Sequence, residues 1–345
     1  MSTVVPPFEP HPLLPNGHWQ TIVGRYLPGR VDWPSSRDVD LALSDGDRLR
    51  LLDSTPEGWE PGDPAAVLVH GLAGCARAPY VVRVAAKLVK QGVRAVRMNL
   101  RGAGAGFGLA RGIYHAGRSG DVRAVTEWLA AAAPGSPIAI IGFSLGGNLV
   151  LKLAAEAAES PLEGLDCVLA ANPPLDLLAC CRNMQRPERR LYDGNFLRLL
   201  RKEVGRLHAR FPDLGPPPIT KMRSVYEFDE CYTAPRNGFS GAEEYYARSS
   251  AGPLLPKIRI PGLVVHAEDD PFIPAETYQG LEFPKSLALE LIPSGGHLGY
   301  ISRSRWDGDR RWLDARLASW LADRWGVARR NRPGGQNAHV RHEIQ

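Results

Sequence analysis

Short apolar runs alternate along the chain with longer segments in which apolar residues recur every three or four positions. Six runs rich in valine, isoleucine and leucine are AAVLVH (65–70), VRAVRM (93–98), PIAIIGF (137–143), DCVLAAN (166–172), PGLVVHA (261–267) and LALELIP (287–293). Most are separated by amphipathic segments of helical length, such as APYVVRVAAKLVKQG (78–92) and DVRAVTEWLAAAAPG (121–135). Strands that are apolar on both faces and alternate with helices are typical of a parallel sheet covered on both sides. We therefore predict an α/β fold with a mainly parallel central sheet flanked by helices.

Two further patterns lie near the ends of this region. VDLALS (39–44) and RLRLLD (48–53) flank an Asp-Gly-Asp turn, which predicts a β-hairpin before the first buried strand. WDGDRRWLDARLASWLADRW (306–325) is predicted as a terminal helix that packs its tryptophans and leucines on the sheet.

One long interval interrupts the alternation. Between the runs DCVLAAN and PGLVVHA lie residues 175–260, whose most regular parts, PERRLYDGNFLRLLRKEVGRLHARF and GAEEYYARSSAGPLL, have the character of helices. Connections in compact domains usually have about 4 to 6 residues, so this interval predicts an inserted helical cap. The resulting division is an N-terminal extension packing on the core (1–38), the core (39–174 and 261–326), the cap (175–260) and a disordered basic tail (327–345).

Composition places the chain among soluble globular proteins, and its excess charge is local. The 345 residues are 44% hydrophobic and 23% charged, with a net charge of +5. Residues 324–345 contain five arginines and one glutamate, so most of the excess lies in the tail. A solvated polar tail explains that charge without a nucleic-acid partner, and none is predicted.

The sequence also shows little sign of a membrane-spanning segment or of a metal site. No apolar run approaches the roughly 20 residues that cross a bilayer, and the N-terminus has no leader pattern, so we predict no integral membrane segment and a cytoplasmic location. The five cysteines are odd in number and show no CxxC spacing, and no histidine pair has metal-ligand spacing. We therefore expect no metal and no cofactor.

The segment IIGFSLGGNLVLKLA (140–154) places a serine between a strand-like and a helix-like run. Gly142, Ser144 and Gly146 form the pattern G-x-S-x-G, in which a sharp strand-to-helix turn exposes the serine in a strained backbone conformation. Side chains two residues to either side would collide with such a turn, which accounts for the two glycines. The pattern predicts Ser144 as a nucleophile. A tight turn with a capping serine is the alternative that the pattern alone leaves open.

A serine hydroxyl needs a base, and the base needs an orienting carboxylate. With a nucleophile on this kind of turn, the acid and then the histidine follow on loops after later strands. SGGHLGY (294–300) follows the last predicted strand and makes His297 the candidate base. EDDPFIP (268–274) follows the strand before it and offers Asp270, four residues before Pro274, as the acid, with Asp269 kept as the reserve.

Two backbone amides are candidates for holding an oxyanion. One is the N–H of Leu145, directly after the nucleophile, and the other is the N–H of Leu72 in HGLAG (70–74), directly after the first buried strand. We interpret His70 as a brace of that loop rather than a proton carrier. An ordinary glycine-rich turn remains the alternative for HGLAG.

Taken together, the motifs resemble the YheT-like α/β-hydrolases over nearly the whole of residues 11–325. The matching segments are NGHWQTI (16–22), HGLAG (70–74), RMNLRGAG (97–104), GFSLGGNLVLK (142–152), FDECYTAPRNGF (228–239), EEYYARSSA (243–251), HAEDDPFIP (266–274) and GGHLGY (295–300). The resemblance implies an α/β-hydrolase fold and a serine hydrolase of carboxylic esters, and it supports Ser144, His297 and an aspartate of EDDP as the catalytic group. Related members cleave lipid acyl esters or transfer acyl groups to alcohols.

The expected function is hydrolysis of short- to medium-chain acyl esters, monoacylglycerols or other lipid esters among them, through an acyl-enzyme. Transfer of the acyl group to an alcohol is the alternative within enzymes, and a catalytically inert binding protein is the alternative outside them. The sequence does not determine the oligomeric state.

Overall fold

The computed structural model describes residues 5–27, 29, 32–219, 221–306 and 308–327. Apart from residue 327, the predicted disordered tail lies outside the described residues. Eight strands form the central sheet: β1 (Arg37–Ala42), β2 (Arg48–Ser54), β3 (Ala65–Val69), β4 (Arg94–Met98), β5 (Ile138–Phe143), β6 (Leu165–Ala171), β7 (Gly262–Ala267) and β8 (Leu287–Ile292). All six strands predicted from apolar runs and the two predicted hairpin strands are confirmed.

The helices surround this sheet. They are α1 (Gly17–Tyr26), α2 (Pro79–Lys90), α3 (Ser119–Ala132), α4 (Leu145–Glu156), α5 (Leu177–Met184), α6 (Arg190–Arg210), α7 (Val225–Phe228), α8 (Ala234–Arg236), α9 (Ala242–Ser249) and α10 (Trp312–Trp325). A π-helix over Asp229–Thr233 joins α7 to α8. Short 3₁₀ turns cover Gly104–Gly106, Pro187–Arg189, Pro212–Leu214, Gly252–Lys257 and Ala275–Tyr278.

The strand order creates a crevice at the carboxyl ends of the strands, next to β3. The order is β1-β2-β4-β3-β5-β6-β7-β8, in which β1 and β2 are antiparallel to their neighbours and every pair from β4 to β8 is parallel. Because the chain passes from β3 to β4 on one side and later to β5 on the other, the direction of winding reverses at β3. Ligand sites in open parallel sheets lie outside the carboxyl ends of the strands at such a point.

The strands are apolar at consecutive positions because both faces of the sheet are covered. In β3, Val67 and Val69 pack into a core that includes α3 and α4, whereas Ala66 and Leu68 pack into a second core with α2 and α10. All five residues of β3 are buried. The predicted α/β fold, with its mainly parallel sheet between helices, is confirmed.

The interval 175–260 carries helices α5 to α9 and no strand in the part of it that the structure describes. Helices α5 and α9 contact each other, as do α5 and α6, so the insertion has internal packing of its own. The proposed division of the chain into extension, core and cap remains a prediction.

The predicted terminal helix is wrong at its start. Residues Ile301–Trp306 and Asp309–Arg311 form a two-stranded antiparallel ribbon of β9 and β10, and helix α10 begins only at Trp312. Gly308 adopts a φ of 78°, which suits a turn between strands. The ribbon also binds the N-terminal segment, where Arg303 N–H donates to the Glu9 carbonyl. Hydrogen bonds to this distant segment stabilise the ribbon, although the sequence of these residues has a helical pattern.

Candidate active site

Ser144 lies at the sharp turn between β5 and α4, with φ 53° and ψ −122°. This strained conformation explains the neighbouring glycines. A Cβ added to Gly142 would lie 2.1 Å from the carbonyl oxygen of Gly146. A Cβ on Gly146 would lie 2.3 Å from the carbonyl oxygen of Val69 in β3, so this glycine lets helix α4 approach the neighbouring strand.

A chain of hydrogen bonds joins the three residues selected from the sequence. Nε2 of His297 lies 2.9 Å from Ser144 Oγ, and Nδ1 of His297 lies 2.7 Å from Asp270 Oδ2. Because the carboxylate can only accept from Nδ1–H, the neutral ring leaves Nε2 free to accept the serine proton. The structure therefore brings Ser144, His297 and Asp270 together in the arrangement of a nucleophile, a base and an orienting acid.

Asp270 is fully buried, yet it stays ionised. Burial raises the pKa of its carboxyl, but His297, His266 and the backbone N–H of Phe272 together outweigh that effect and bring the pKa below its ordinary value. Its other oxygen, Oδ1, accepts from the backbone N–H groups of Phe272 and Ile273. A buried carboxylate with this many donors is held in one orientation.

Asp269, the reserve candidate, has a different position. Its Oδ1 accepts from the backbone N–H of Gly296, one residue before His297, rather than from the imidazole. Burial raises the pKa of its carboxyl. The structure thus places Asp270 at the imidazole and Asp269 under the backbone of the histidine loop.

The histidine loop is also held by the N-terminal helix. The backbone N–H of His297 donates to Thr21 Oγ1, whose hydroxyl donates to the carbonyl of Gly17. A Cβ on Gly17 would lie 1.9 Å from the Asp269 carbonyl oxygen, so α1 packs directly against the acid loop. Helix α1 has no predicted role in the site, and its motif NGHWQTI is the only signal that the sequence offers for one.

The two predicted oxyanion donors line the space beside Ser144. In the loop after β3, Gly71 N–H donates to Tyr80 Oη and Ala73 N–H donates to Tyr114 Oη. Among the described residues no acceptor takes the N–H of Leu72 or that of Leu145, the first residue of α4. Both leucines border the same cavity as Ser144. Their assignment as oxyanion donors remains a prediction.

His70 links two loops at the edge of the site. Its Nε2 accepts from Leu100 N–H at 3.1 Å, so the ring proton is on Nδ1, 2.8 Å from the Gly71 carbonyl oxygen. Burial lowers the pKa of His70 to about 4. The neutral ring therefore ties the loop after β3 to the loop after β4, as expected of a brace.

Asn172, directly after β6, is a site residue that sequence reasoning missed. Its Nδ2 donates to Asp270 Oδ2 and to the Gly296 carbonyl, while its Oδ1 accepts from the hydroxyl of Tyr300. The residue is buried and has a φ of 46°, a conformation that asparagine tolerates better than most residues. Its place at the carboxyl end of a parallel strand was the only available signal.

A cavity of about 140 Å³ opens from Ser144 and His297 beneath the inserted helices. Its apolar walls include Leu177, Cys180, Met184, Phe196, Leu200 and Val204. The cavity also reaches Glu203, which accepts from the hydroxyl of Tyr114 and whose pKa is raised by burial. In the described part of the chain, no group of three His, Cys, Asp or Glu side chains could hold a metal ion.

Comparison with known proteins gives consistent matches. Residues 64–304 match a family model described as alpha/beta hydrolase fold. The chain is 32% identical over 311 residues to the Escherichia coli (strain K12) protein YheT, which carries the name of an esterase; the match covers 89% of this chain and 90% of that protein.

Two relatives from Saccharomyces cerevisiae are more distant. The chain is 29% identical over 269 residues to a monoacylglycerol lipase, a match that covers 75% of this chain and 59% of the lipase. It is 29% identical over 302 residues to medium-chain fatty acid ethyl ester synthase/esterase 2, with coverage of 79% and 64%. The chain therefore spans less than two thirds of either yeast protein.

Proposed function

Because this chain belongs to the α/β-hydrolase family and is a hydrolase of the esterase and lipase type, we propose that it cleaves carboxylic esters through an acyl-enzyme on Ser144. The observation that carries the proposal is the continuous set of hydrogen bonds from Ser144 Oγ through His297 to Asp270. Three such groups in one chain of contacts are what nucleophilic catalysis by a serine requires.

In the first half of the reaction, Ser144 Oγ attacks the ester carbonyl carbon while Nε2 of His297 takes its proton. Asp270 stabilises the imidazolium and keeps the Nδ1 proton in place, so it does not become protonated itself. The negative oxygen that forms on the carbonyl carbon accepts from the N–H groups of Leu72 and Leu145. The ester bond then breaks, and His297 returns the proton to the leaving alcohol.

In the second half, water takes the place of the alcohol. His297 removes a proton from the water as it attacks the acyl-serine, and the acid leaves as Ser144 recovers its proton. The N-terminal end of α4 points its partial positive charge at the reacting oxygen in both halves. None of these steps calls for a metal or an organic cofactor.

The size of the cavity supports a substrate whose acyl group is apolar and of limited length. Its volume of about 140 Å³ is close to that of an apolar protein cavity that accepts benzene, which corresponds to roughly six carbon atoms. The substrates we propose are therefore esters of short- to medium-chain acids, monoacylglycerols included. The polar pair of Glu203 and Tyr114 in the cavity wall offers hydrogen bonds to a hydroxyl of the substrate.

Acyl transfer is a second candidate, because one relative carries the name of both an ester synthase and an esterase. The same acyl-serine would react with an alcohol in place of water. Hydrolysis in the presence of added ethanol separates the two, since an acyltransferase forms ethyl ester in excess over free acid. An inert binding protein is disfavoured, because the complete group of Ser144, His297 and Asp270 is present.

The proposal is tested with a fluorophosphonate probe, followed by a series of p-nitrophenyl esters from acetate to palmitate. We expect the wild type to be labelled and Ser144→Ala and His297→Ala to lose labelling. Ser249→Ala is the matched control, since Ser249 is also a buried serine, on α9, and its hydroxyl has no partner within the described residues. It should label like the wild type. A folded wild type that is neither labelled nor active on any ester contradicts the proposal and favours the inert protein.

A further inference from the structure

Two tyrosine hydroxyls hold the backbone on either side of Leu72 in the loop after β3. Gly71 N–H donates to Tyr80 Oη at 3.1 Å, and Ala73 N–H donates to Tyr114 Oη at 2.9 Å. The N–H of Leu72, between these two amides, has no acceptor among the described residues. The tyrosines therefore bind the neighbouring amides and leave the N–H of Leu72 to a ligand in the cavity.

These residues form a β-turn whose second central residue has a positive φ. Gly74 N–H donates to the Gly71 carbonyl at 3.1 Å, which closes the turn around Leu72 and Ala73. Ala73 has a φ of 53°, whereas the φ of Leu72 is not positive, so the turn is of type II. Glycine is the usual residue at this position of the turn, and an alanine there is strained. A contact that fixes the Ala73 amide therefore stabilises a turn that the sequence alone does not favour.

The hydroxyl of Tyr114 can only accept from this turn, because its one proton is used elsewhere. Tyr114 Oη donates to Oε2 of Glu203 on α6 at 3.0 Å. A hydroxyl has a single proton, so Oη presents lone pairs, and not a proton, to the N–H of Ala73. Helix α6 thus sets the direction of a hydroxyl that contacts the loop after β3.

The direction of this hydroxyl selects between two states of the turn. Type I and type II turns differ in the orientation of the central peptide, here the one that joins Leu72 to Ala73. In the type II state the N–H of this peptide points to Tyr114, whereas a type I turn would direct the Leu72 carbonyl oxygen to the same side. Two oxygens with facing lone pairs repel each other, so the pair of Tyr114 and Glu203 disfavours the type I state.

This peptide lies beside the nucleophile. A Cβ added to Gly71 would lie 3.0 Å from Ser144 Cβ, and Leu72 and Tyr114 border the same cavity as Ser144. A peptide that directs its N–H toward Tyr114 favours negative charge on the cavity side, and one that directs its carbonyl oxygen there opposes it. Because the oxyanion forms only during the reaction, the orientation of the peptide should change kcat rather than the binding of substrate.

We propose that Tyr114 is a positioning residue for the oxyanion hole and that Glu203 directs its hydroxyl. Tyr114 acts through the turn and needs no contact with the substrate for this role. The inference rests on the proposed function, in which the N–H of Leu72 holds the oxyanion. It gives the inserted helix α6 a part in the rate of the reaction as well as in the shape of the cavity.

The test is hydrolysis of p-nitrophenyl butyrate, which has no hydroxyl group that could contact Tyr114 or Glu203. We expect Tyr114→Phe to lower kcat by roughly thirtyfold with KM changed less than about twofold, since outright removal of an oxyanion donor costs about 10² to 10³. An alkyl trifluoromethyl ketone forms an oxyanion adduct with the serine, so its inhibition constant should rise by the same factor. Glu203→Gln keeps an acceptor for the hydroxyl and should retain most of the kcat that Glu203→Leu loses.

Ala73→Gly provides a rescue, because glycine adopts a positive φ without strain and favours the type II turn. Added to Tyr114→Phe, it should recover at least about fivefold of the lost kcat. Tyr232→Phe is the matched control, since Tyr232 is also buried and its hydroxyl lies 2.8 Å from His208 Nε2 within the inserted helices. It should keep the kcat and the inhibition constant of the wild type, and unchanged thermal midpoints show that the variants are folded.

The inference is overturned if folded Tyr114→Phe keeps the wild-type kcat, if it changes KM alone, or if Ala73→Gly brings no recovery. If Tyr114→Phe does not fold, the comparison of Glu203→Leu with Glu203→Gln decides by the same readouts, and equal kcat in the two overturns it. A wild type that hydrolyses no ester and is not inhibited overturns the proposed function and the inference with it. An active wild type whose Tyr114→Phe variant is unchanged overturns the inference alone.

Discussion

The side-chain nitrogen of Asn172 lies 2.6 Å from Asp270 Oδ2, the carboxylate oxygen that also lies 2.7 Å from Nδ1 of His297. The same amide donates to the Gly296 carbonyl, so one side chain contacts both the acid and the histidine loop. Tyr300 donates to its oxygen and thereby fixes the direction of the amide. We interpret Asn172 as a positioning residue that acts on catalysis through Asp270.

Removing this amide should slow catalysis without abolishing it. Asn172→Gly tolerates the positive φ and leaves Asp270 less well oriented, so kcat/KM should fall by up to roughly a hundredfold. Asn172→Asp places a second carboxylate beside the pair, and its negative charge favours the imidazolium form of the ring. The acid limb of the pH profile of kcat/KM should therefore move to higher pH. A merely structural role predicts no such movement, and an unchanged limb in Asn172→Asp argues against positioning.

Asp269 and Asp270 should differ sharply in their effect on ester hydrolysis. Asp270→Asn leaves the shape of the site and removes the charge that selects the imidazole tautomer, which should lower kcat on the order of 10⁴-fold. Asp269→Asn affects bonds to the backbone of the histidine loop, such as that from Gly296 N–H, rather than a bond to the imidazole, and should cost less than about tenfold. Steady-state kinetics on p-nitrophenyl butyrate compares the adjacent pair directly. Equal losses in the two variants would contradict the assignment of the acid.

The glycines of the turn should resist substitution for steric reasons. Gly142→Ala and Gly146→Ala place a Cβ against backbone oxygens of Gly146 and Val69, so each should destabilise the fold by about 2 to 3 kcal/mol or prevent folding. Gly205→Ala is the control within α6, where an added Cβ meets no described atom within 4 Å. It should stabilise the protein by about 0.5 to 1 kcal/mol. Urea unfolding measures all three, and a neutral Gly142→Ala would be inconsistent with the close approach.

Asp229 should make stability depend on pH. Burial raises its pKa from the ordinary 3.8 to about 6, although its carboxylate accepts from the Tyr246 hydroxyl. The folded state therefore binds the proton more tightly than the unfolded state, and this contribution to stability is complete below pH 3.8 and lost as the pH rises through about 6.

The matched variant is Asp229→Asn, which cannot ionise. Its free energy of unfolding relative to the wild type should increase between about pH 4 and pH 7, by about 3 kcal/mol in total, since each pKa unit corresponds to 1.36 kcal/mol. Denaturant unfolding at several pH values measures the difference. A constant difference across this range would show that the carboxyl titrates at the same pH in both states.

The helices of this protein show where the local sequence pattern was sufficient to predict an element and its buried face, and where it was not. Helices α2 and α4 follow apolar periodicity and pack on the sheet, and α6 packs on α5 and α7, so the sequence of each helix indicates which of its faces is buried. Helix α1 has no such pattern, because its buried face packs on backbone atoms of the Asp269 and Gly299 loops through glycines and polar side chains. The ribbon of β9 and β10 was likewise hidden, since its backbone bonds reach the N-terminal segment.

The sequence by itself determined the strands of the sheet and the sharp turn at Ser144, and it offered candidates for the acid and the histidine on the loops that directly follow later strands. These features depend on residues that are close in the chain, because burial on both faces and steric exclusion at a tight turn leave local signals. Only the tertiary structure placed Asp270 rather than Asp269 at the imidazole of His297, brought Asn172 and Thr21 to the histidine loop, and turned the apolar side of α1 outward. Each of these depends on contacts between residues that are far apart in sequence, and local periodicity carries no information about such contacts.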